Sequence, residues 1–465
     1  MPLPTPQGEQ SDALYLPTTN NIVVLGTAGS GKSTLAVHRA AILSDPRVEN
    51  HGKTLLVTFN VSLVKYLEYL AGGSPAAARF DIRNYHLFAR GILASMGLNM
   101  WNVIAEGSDH EDLVSKAVAN QKNATAHSVF GRTDQFFVEE FKWIAQNGIT
   151  SEAEYLSKAR TGRADSRLKR SDRPPVFAAY EEYLALRSQT KFKYNWDDLA
   201  TAVRHQLKNP PPGFKRMYRH VVIDEGQDFS PEMIRSLSES IEPGGTITFF
   251  GDVAQQIYGH RISWKNAGID KPLTHQFKNN YRNSRQIADL ALSLSKLPTF
   301  GHTVDELVTP VVPAAAGPLP ALVSLSSREA TIAWAAKQAG SLSATQSVAV
   351  LARDRNFEDE FTGLAGKATK LYRGLKAWKN THGIYYGTIH AAKGLEFDTV
   401  LVLFCGADEI AEDHWMKDLD ADEAQAVISK LLYVAITRAR RNLVICHVGP
   451  LTHLLPTDSA LYAKA

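Results

Sequence analysis

Residues 22–35 read IVVLGTAGSGKSTL. Four apolar residues without alternation, Ile22 to Leu25, read as a short parallel strand buried on both faces. The glycines that follow permit a tight loop and close approach of the backbone to a ligand. Gly26 to Ser33 fits G-x-x-x-x-G-K-[ST], a loop that opens a helix and cradles phosphates with its N–H groups. Lys32 is placed to reach the β- and γ-phosphates, and Ser33 to ligate Mg²⁺. Gly26, Ala28, Gly29, Ser30, Gly31, Lys32, Ser33 and Thr34 are thus the expected contacts to a nucleoside triphosphate such as ATP.

Composition narrows the remaining classes. A chain of 465 residues has room for about two to four domains. A net charge of +3 permits a nucleic-acid partner without arguing for one, because a polyanion needs a local basic track. Cys405 and Cys446 both sit in apolar strand-like runs, which fits buried free thiols and a reducing cytoplasm. No run approaches 18 apolar residues, so no membrane span is expected, and MPLPTPQGEQSD lacks a signal-peptide pattern.

Strand-like runs recur between helical stretches: 54–59, 219–224, 246–252, 347–353, 399–404 and 443–448. Their unbroken apolar character predicts parallel strands and α/β architecture. Three lie before about residue 280 and three after about 340, which predicts two α/β domains. Residues from about 91 to 195 read as mostly helical, an insertion in the first domain. Within it lie Lys158, Arg160, Arg163, Arg167, Lys169, Arg170 and Arg173. That basic run is either a solvated helix face or a phosphate-contacting patch.

A phosphate loop alone serves many activities, so the discriminating residues lie downstream. In 220-HVVIDEGQD-228 an apolar strand ends in two acids. Asp224 is placed to hold Mg²⁺, and Glu225 to polarise an attacking water as general base. Here the chain resembles the UvrD/Rep-like helicases of superfamily 1. 7-QGEQSDAL-14 resembles their adenine-reading Q motif, and 26-GTAGSGKST-34 their motif I. 57-VTFNVSLVKYL-67, 83-RNYHLFA-89 and 196-WDDL-199 resemble motifs Ia, Ib and the element before motif II. 224-DEGQD-228, 250-FGDVAQQIYGHR-261, 279-NNYRNSRQIA-288, 387-GTIHAAKGLEFDTV-400 and 432-LYVAITRARRNL-443 resemble motifs II to VI in order.

That resemblance implies two RecA-like parallel-sheet P-loop domains with a helical insertion in the first. It implies domain 1A over 1–90 and 196–280, insertion 1B over 91–195, and domain 2A over 281–465. It further implies that Gln10 reads adenine, Tyr281 stacks on it, and Glu396 meets the ribose. Arg282 and Arg438 would contact the γ-phosphate, while Gln227 and Gln255 couple it to the DNA path. Phe59, His86, Tyr258, His260, Trp264, Thr388 and His390 fall at or beside positions near single-stranded DNA. Stacking on aromatic rings suits a motor that does not read sequence.

Three departures stand out. His260 occupies a position where the family usually has Trp; Trp264 either replaces it or is a core aromatic. Thr34 stands where many relatives have an adenine-contacting Arg. Only 34 residues separate Arg353 from Thr388, too few for the family's 2B insertion, so 2B is expected to be absent or vestigial. The resulting expectation is an ATP- and Mg²⁺-dependent 3′–5′ translocase or helicase acting on single-stranded DNA or 3′-tailed duplex. The alternative is a helicase-like ATPase subunit that gates a DNA-repair or anti-phage complex containing a nuclease.

Overall fold

The structure, a computed structural model, describes residues 5–6, 8–26, 29–72, 75–160, 168–252, 264–265, 267–277, 283–300, 313, 315–372, 374–378, 381–410 and 421–464. The first lobe opens with α1 (Glu9–Leu14), β1 (Ile22–Gly26), α2 (Lys32–Leu43), β2 (Thr54–Thr58), α3 (Val61–Ala71), β3 (Phe80–Asn84) and α4 (Tyr85–Ser95). Asn60 and Asn84 cap α3 and α4 by accepting from the Ser62 and Leu87 amides.

The chain then leaves through β4 (Ile104–Ala105), α5 (Ser108–Ala124), α6 (Asp134–Gln146), α7 (Glu152–Ser157) and α8 (Arg173–Ser188). It returns through β5 (Tyr194–Asn195). The outgoing and returning strands lie side by side, Ile104 against Tyr194. Between them the helices enclose their own aromatic core around Phe137, Phe141, Phe177 and Tyr183. From position 91 on, Ile92, Leu93, Met96 and Met100 lie in the core of the first sheet rather than in this aromatic core. There they pack with Phe88 and Ala89 of α4 against Leu199, Ala200 and Val203.

The lobe closes with α9 (Leu199–Lys208), β6 (Tyr218–Ile223), α10 (Pro231–Ser240), β7 (Ile241–Gly251) and β8 (Leu273–Phe277). Six strands form one sheet in the order β3-β2-β6-β7-β1-β8, all pairs parallel. Ile22 and Val24 face one core while Val23 faces another. This two-sided burial is why the strands read as continuous apolar runs.

The second lobe comprises α11 (Arg285–Ser295), β9 (Ala321–Leu325), α12 (Arg328–Leu342), β10 (Ser347–Ala352), α13 (Glu358–Ala365) and β11 (Ala368–Lys370). It continues with β12 (Gly383–Thr388), β13 (Phe397–Val402), α14 (Ala421–Thr437), β14 (Ala439–Val448) and β15 (Ala463–Lys464). Its sheet runs β11-β12-β10-β13-β14-β9-β15, again parallel throughout. Between Ala352 and Gly383 the described residues form only α13 and β11. Ala349, Leu351 and Val400 share one continuous core with Ile22, Val24 and Leu56 of the first sheet, so the two lobes pack directly on each other.

Candidate nucleotide site and nucleic-acid face

Parallel strands aim their carboxyl ends at one edge, and the candidate residues collect there. The loop after β1 carries Gly29 and Gly31 at φ +83°, a left-handed conformation that glycine adopts without strain. A Cβ on Gly26 would lie 2.6 Å from Ser30 Oγ, so the loop closes only on glycine. Ser30 and Ser33 are buried. Lys32 Nζ donates to the Gly26 carbonyl at 2.9 Å and lies 3.9 Å from Asp252 Oδ2. The lysine is thus folded over the loop it serves. Thr34 is half-buried on α2.

Asp224 follows β6 and is fully buried, and among the described residues neither carboxylate oxygen meets a donor at full hydrogen-bonding geometry. Burial, then the charge of Glu225, pushes this carboxyl well above its ordinary range, while Ser33 and Lys32 pull it down. Two buried carboxylate oxygens beside the Ser33 hydroxyl suit a hard cation. Among the described residues no group of three or more His, Cys, Asp or Glu side chains could hold a metal. A Mg²⁺ there would complete its shell with phosphate oxygens and water, as this ion commonly does.

Glu225 is nearly buried and held at φ 52°, ψ 44°, left-handed for a residue with a side chain. Burial raises its carboxyl, but Arg438, Lys32 and Lys393 outweigh that and hold it below the usual range. It is thus kept ionised, as a general base requires. Gln227 donates from Nε2 to Glu225 and accepts the Asp252 amide at 2.9 Å. One side chain therefore ties the end of β6 to the end of β7. Asp252 is a residue that the sequence reading passed over. Its signal was present, an acid directly after a buried apolar strand, as at Asp224.

Arg438, between α14 and β14, is fully buried. It donates to the Val434 and Leu395 carbonyls at 3.0 and 3.3 Å, and its charge reaches Glu225 across the lobes. Nearby, Lys393 forms a buried ion pair with Asp228. Asn60 Nδ2 donates to the Ala391 and Lys393 carbonyls, both at 3.1 Å. Glu396, read from the sequence as a ribose contact, accepts from Arg440 at 3.1 Å in this structure. Gln10 Nε2 donates to the Ser30 carbonyl at 2.8 Å, which brings the base-reading candidate onto the phosphate loop. Ala28, Gln255, Tyr258, His260, Tyr281 and Arg282 lie outside the described residues.

A row of aromatic rings crosses the same edge. Phe59, after β2, meets His86 edge-on at 5.4 Å, and His86 meets Trp196 at 5.0 Å. All three are partly exposed. Trp196 extends the row beyond the sequence-derived set; its place beside His86 depends on the return strand of the insertion. Trp264 is partly exposed and packs edge-on against Phe249 at 4.8 Å beside the core of the first sheet. Thr388 Oγ1 accepts the Ala391 amide at 3.2 Å and so shapes the turn that carries the half-exposed His390.

The basic run turns inward more than its composition suggests. Arg160 pairs with the fully buried Glu140. Arg173 donates to the carbonyls of Tyr155, Leu156 and Lys158, and Lys158 is turned toward the Asn147 carbonyl. Lys169 and Arg170 are the exposed members among the described residues.

A phosphate loop and two strand-end acids on one parallel sheet, approached by a buried arginine from a second, define a two-lobed P-loop protein of RecA-like design. Comparison with known proteins carries this further. The profile of the UvrD/REP helicase N-terminal domain matches residues 7–276, and that of the UvrD-like helicase C-terminal domain matches 369–448. The chain belongs to the UvrD/REP helicase family. It is 24% identical over 303 residues to ATP-dependent DNA helicase UvrD2 of Mycobacterium tuberculosis, covering 61% of this chain and 42% of that protein. It therefore spans about two fifths of the UvrD2 relatives it matches. A probable DNA helicase of Mycoplasma pneumoniae is 24% identical across 95% of this chain and 83% of its own length. DNA helicase IV of Escherichia coli is 21% identical across 91% of this chain and 65% of its own length. Among the described residues no helix is long and apolar enough to cross a membrane.

Proposed function

We propose that this chain hydrolyses ATP between its two lobes and uses the cycle to move 3′ to 5′ along single-stranded DNA. One observation carries the proposal most. Asp228, three residues beyond the base candidate Glu225 in the first lobe, is ion-paired with Lys393 of the second, and the charge of Arg438 from that same lobe acts on Glu225. The base and the charge that would stabilise transferring phosphate thus come from separate bodies. Lys32 and the loop amides would grip the phosphates. Asp224 and Ser33 would hold Mg²⁺, which supplies charge neutralisation to the phosphate oxygens. Glu225 would accept the proton of the attacking water, while Gln227 orients that carboxylate and registers its state at Asp252. Arg282 and Tyr281 are proposed to act on the γ-phosphate and adenine, and Gln255 to couple the two motifs, as the family resemblance implies. Catalysis then depends on how the lobes meet, so nucleotide state becomes a change of lobe position.

The polymer is proposed to cross the carboxyl edge of both sheets, over Phe59, His86 and Trp196 and past Thr388 and His390, with Tyr258 and His260 contributing. Base–ring stacking contributes about 1–3 kcal/mol per base and tolerates any sequence. The domain division we propose is 1A, 1B and 2A, with 2B reduced to the short segment between β10 and β12. That segment favours a second reading, in which the ATPase gates a larger DNA-processing assembly and a partner nuclease or other subunit supplies duplex processing.

The test is ATP hydrolysis by the purified chain with and without single-stranded DNA, beside displacement of streptavidin and of a duplex strand from 3′- and 5′-tailed substrates. Stimulation by single strands, with displacement from one polarity only, supports the motor. Hydrolysis indifferent to DNA would overturn it. Streptavidin release without duplex opening would place unwinding with a partner.

A further inference from the structure

Arg39 lies on α2 seven residues beyond Lys32. Seven residues are nearly two helical turns, so both side chains leave the same face, about 10 Å apart along the axis. Yet Arg39 is among the most buried large side chains, 1% exposed. Its Nη1 donates to the Leu14 and Leu16 carbonyls at 3.1 and 2.6 Å, and its Nη2 to the Pro17 carbonyl at 2.8 Å. These carbonyls end α1 and begin the turn after it. Burial lowers the guanidinium pKa only to about 10, so the group stays charged at neutral pH. A cation at these carbonyls is favourable at a helix C-terminus, and an Arg fork can serve several acceptors at once.

α1 has six residues, too few to hold itself together in water. Its tertiary ties among the described residues include buried Ala13 and Leu14, the Arg39 fork, and the Gln10 amide on the Ser30 carbonyl. A Cβ on Gly31 would stand 2.6 Å from Gln10 Nε2, which shows how closely α1 is pressed onto the phosphate loop. One helix, α2, thus starts from the phosphate loop and anchors the segment that carries Gln10.

We propose that Arg39 is a positioning residue for nucleobase selection: it fixes the distance between the Gln10 amide and the phosphate loop. The inference rests on the ATP-hydrolysing role proposed above. Phosphates are held by α2 itself and do not need α1. The base edge is reached from α1 and does. Loss of the fork lets α1 drift, so the base contact weakens while phosphate binding persists.

The experiment compares wild type, Arg39→Gln, Arg39→Lys, Gln10→Ala and the Arg39→Gln/Gln10→Ala pair. KM and kcat are measured for ATP and UTP, and inhibition is measured with inorganic tripolyphosphate. Arg39→Gln should raise the ATP KM about tenfold, the worth of one hydrogen bond to a base edge, with kcat within about twofold. The ATP-over-UTP preference should collapse, and tripolyphosphate inhibition should stay at the wild-type value. Gln10→Ala should match it, and the double variant should be no worse than either. Arg39→Lys should fall between, since Lys satisfies fewer carbonyls, and it serves as the folded variant if Arg39→Gln does not accumulate. Equal weakening of ATP and tripolyphosphate, additive losses in the double variant, or an unchanged ATP-over-UTP ratio would overturn the inference. Failure of the wild type to hydrolyse ATP would overturn the reading beneath it.

Discussion

Arg160→Ala separates a structural basic run from a DNA-binding one. Glu140 has a side chain 0% exposed, and Arg160, 8% exposed, is its charge partner. The carboxylate also accepts the Tyr155 hydroxyl at 2.6 Å and the Arg160 Nε at 2.9 Å. Removing the arginine takes the charged donors away from a buried carboxylate. Breaking a buried pair in this way costs about 3–5 kcal/mol. Protonation limits the loss, because neutralising an ordinary glutamate by adding a proton at pH 7 costs about 3.7 kcal/mol. The expected destabilisation is therefore about 3–4 kcal/mol, localised to the aromatic core of the helical insertion. For a unit of roughly this size, calorimetry should show its transition lowered by on the order of 12 °C or more. Arg160→Met with Glu140→Gln keeps an acceptor for Tyr155, removes both charges, and should recover most of the loss. Affinity for single-stranded DNA, followed against salt, should keep its slope in Arg160→Ala. A variant that melts like wild type but loses about one phosphate's worth of salt dependence would refute the assignment and put Arg160 on the DNA.

Three further outcomes follow from the geometry. Lys32→Ala and Glu225→Gln should each lower ATP turnover by at least about 10³-fold, and Glu225→Gln should still bind fluorescent ATP; residual turnover near wild type in either would remove the site assignment. Lys393→Met leaves Asp228 buried without its partner and should lower the urea unfolding free energy by about 3 kcal/mol, with at least half restored by adding Asp228→Asn; an unchanged midpoint in the single variant would mean the lobes do not meet there in solution. His220 is buried with Nε2 2.6 Å from the Asn50 carbonyl, and burial holds its pKa down at about 4. The unfolded chain, titrating near ~6.5, takes up that proton first, so this contribution is complete above pH 6.5 and lost as pH falls through 4. Between pH 7 and 4.5 it amounts to about 2–3 kcal/mol; His220→Asn should flatten the stability–pH slope relative to wild type, and identical slopes would refute it.

Much of the architecture is written locally. Ile22–Leu25, Val221–Ile223 and Val348–Leu351 are apolar without alternation because both faces of each sheet are covered. Gly26, Gly31, Lys32 and Ser33 announce a phosphate loop because only that backbone shape needs glycine, cation and hydroxyl at those intervals. Asp224 and Glu225 are legible as acids closing a buried strand. Each signal lies within a few neighbouring positions, so the chain reveals it without being folded.

Other assignments needed the tertiary structure. Asp228 and Lys393 are 165 residues apart, and nothing near either announces the other. Trp196 joins the row of Phe59 and His86 only because the insertion returns beside β4. Arg160 and Arg173 look like surface charge in sequence, yet a buried glutamate and three carbonyls take them inward. Trp264 meets Phe249 edge-on, a contact that neither residue announces in sequence. The division has a physical basis. Periodicity, caps and loop shape are set by backbone sterics over a few residues. The partner of a long charged or aromatic side chain is set by where distant strands bring their ends together.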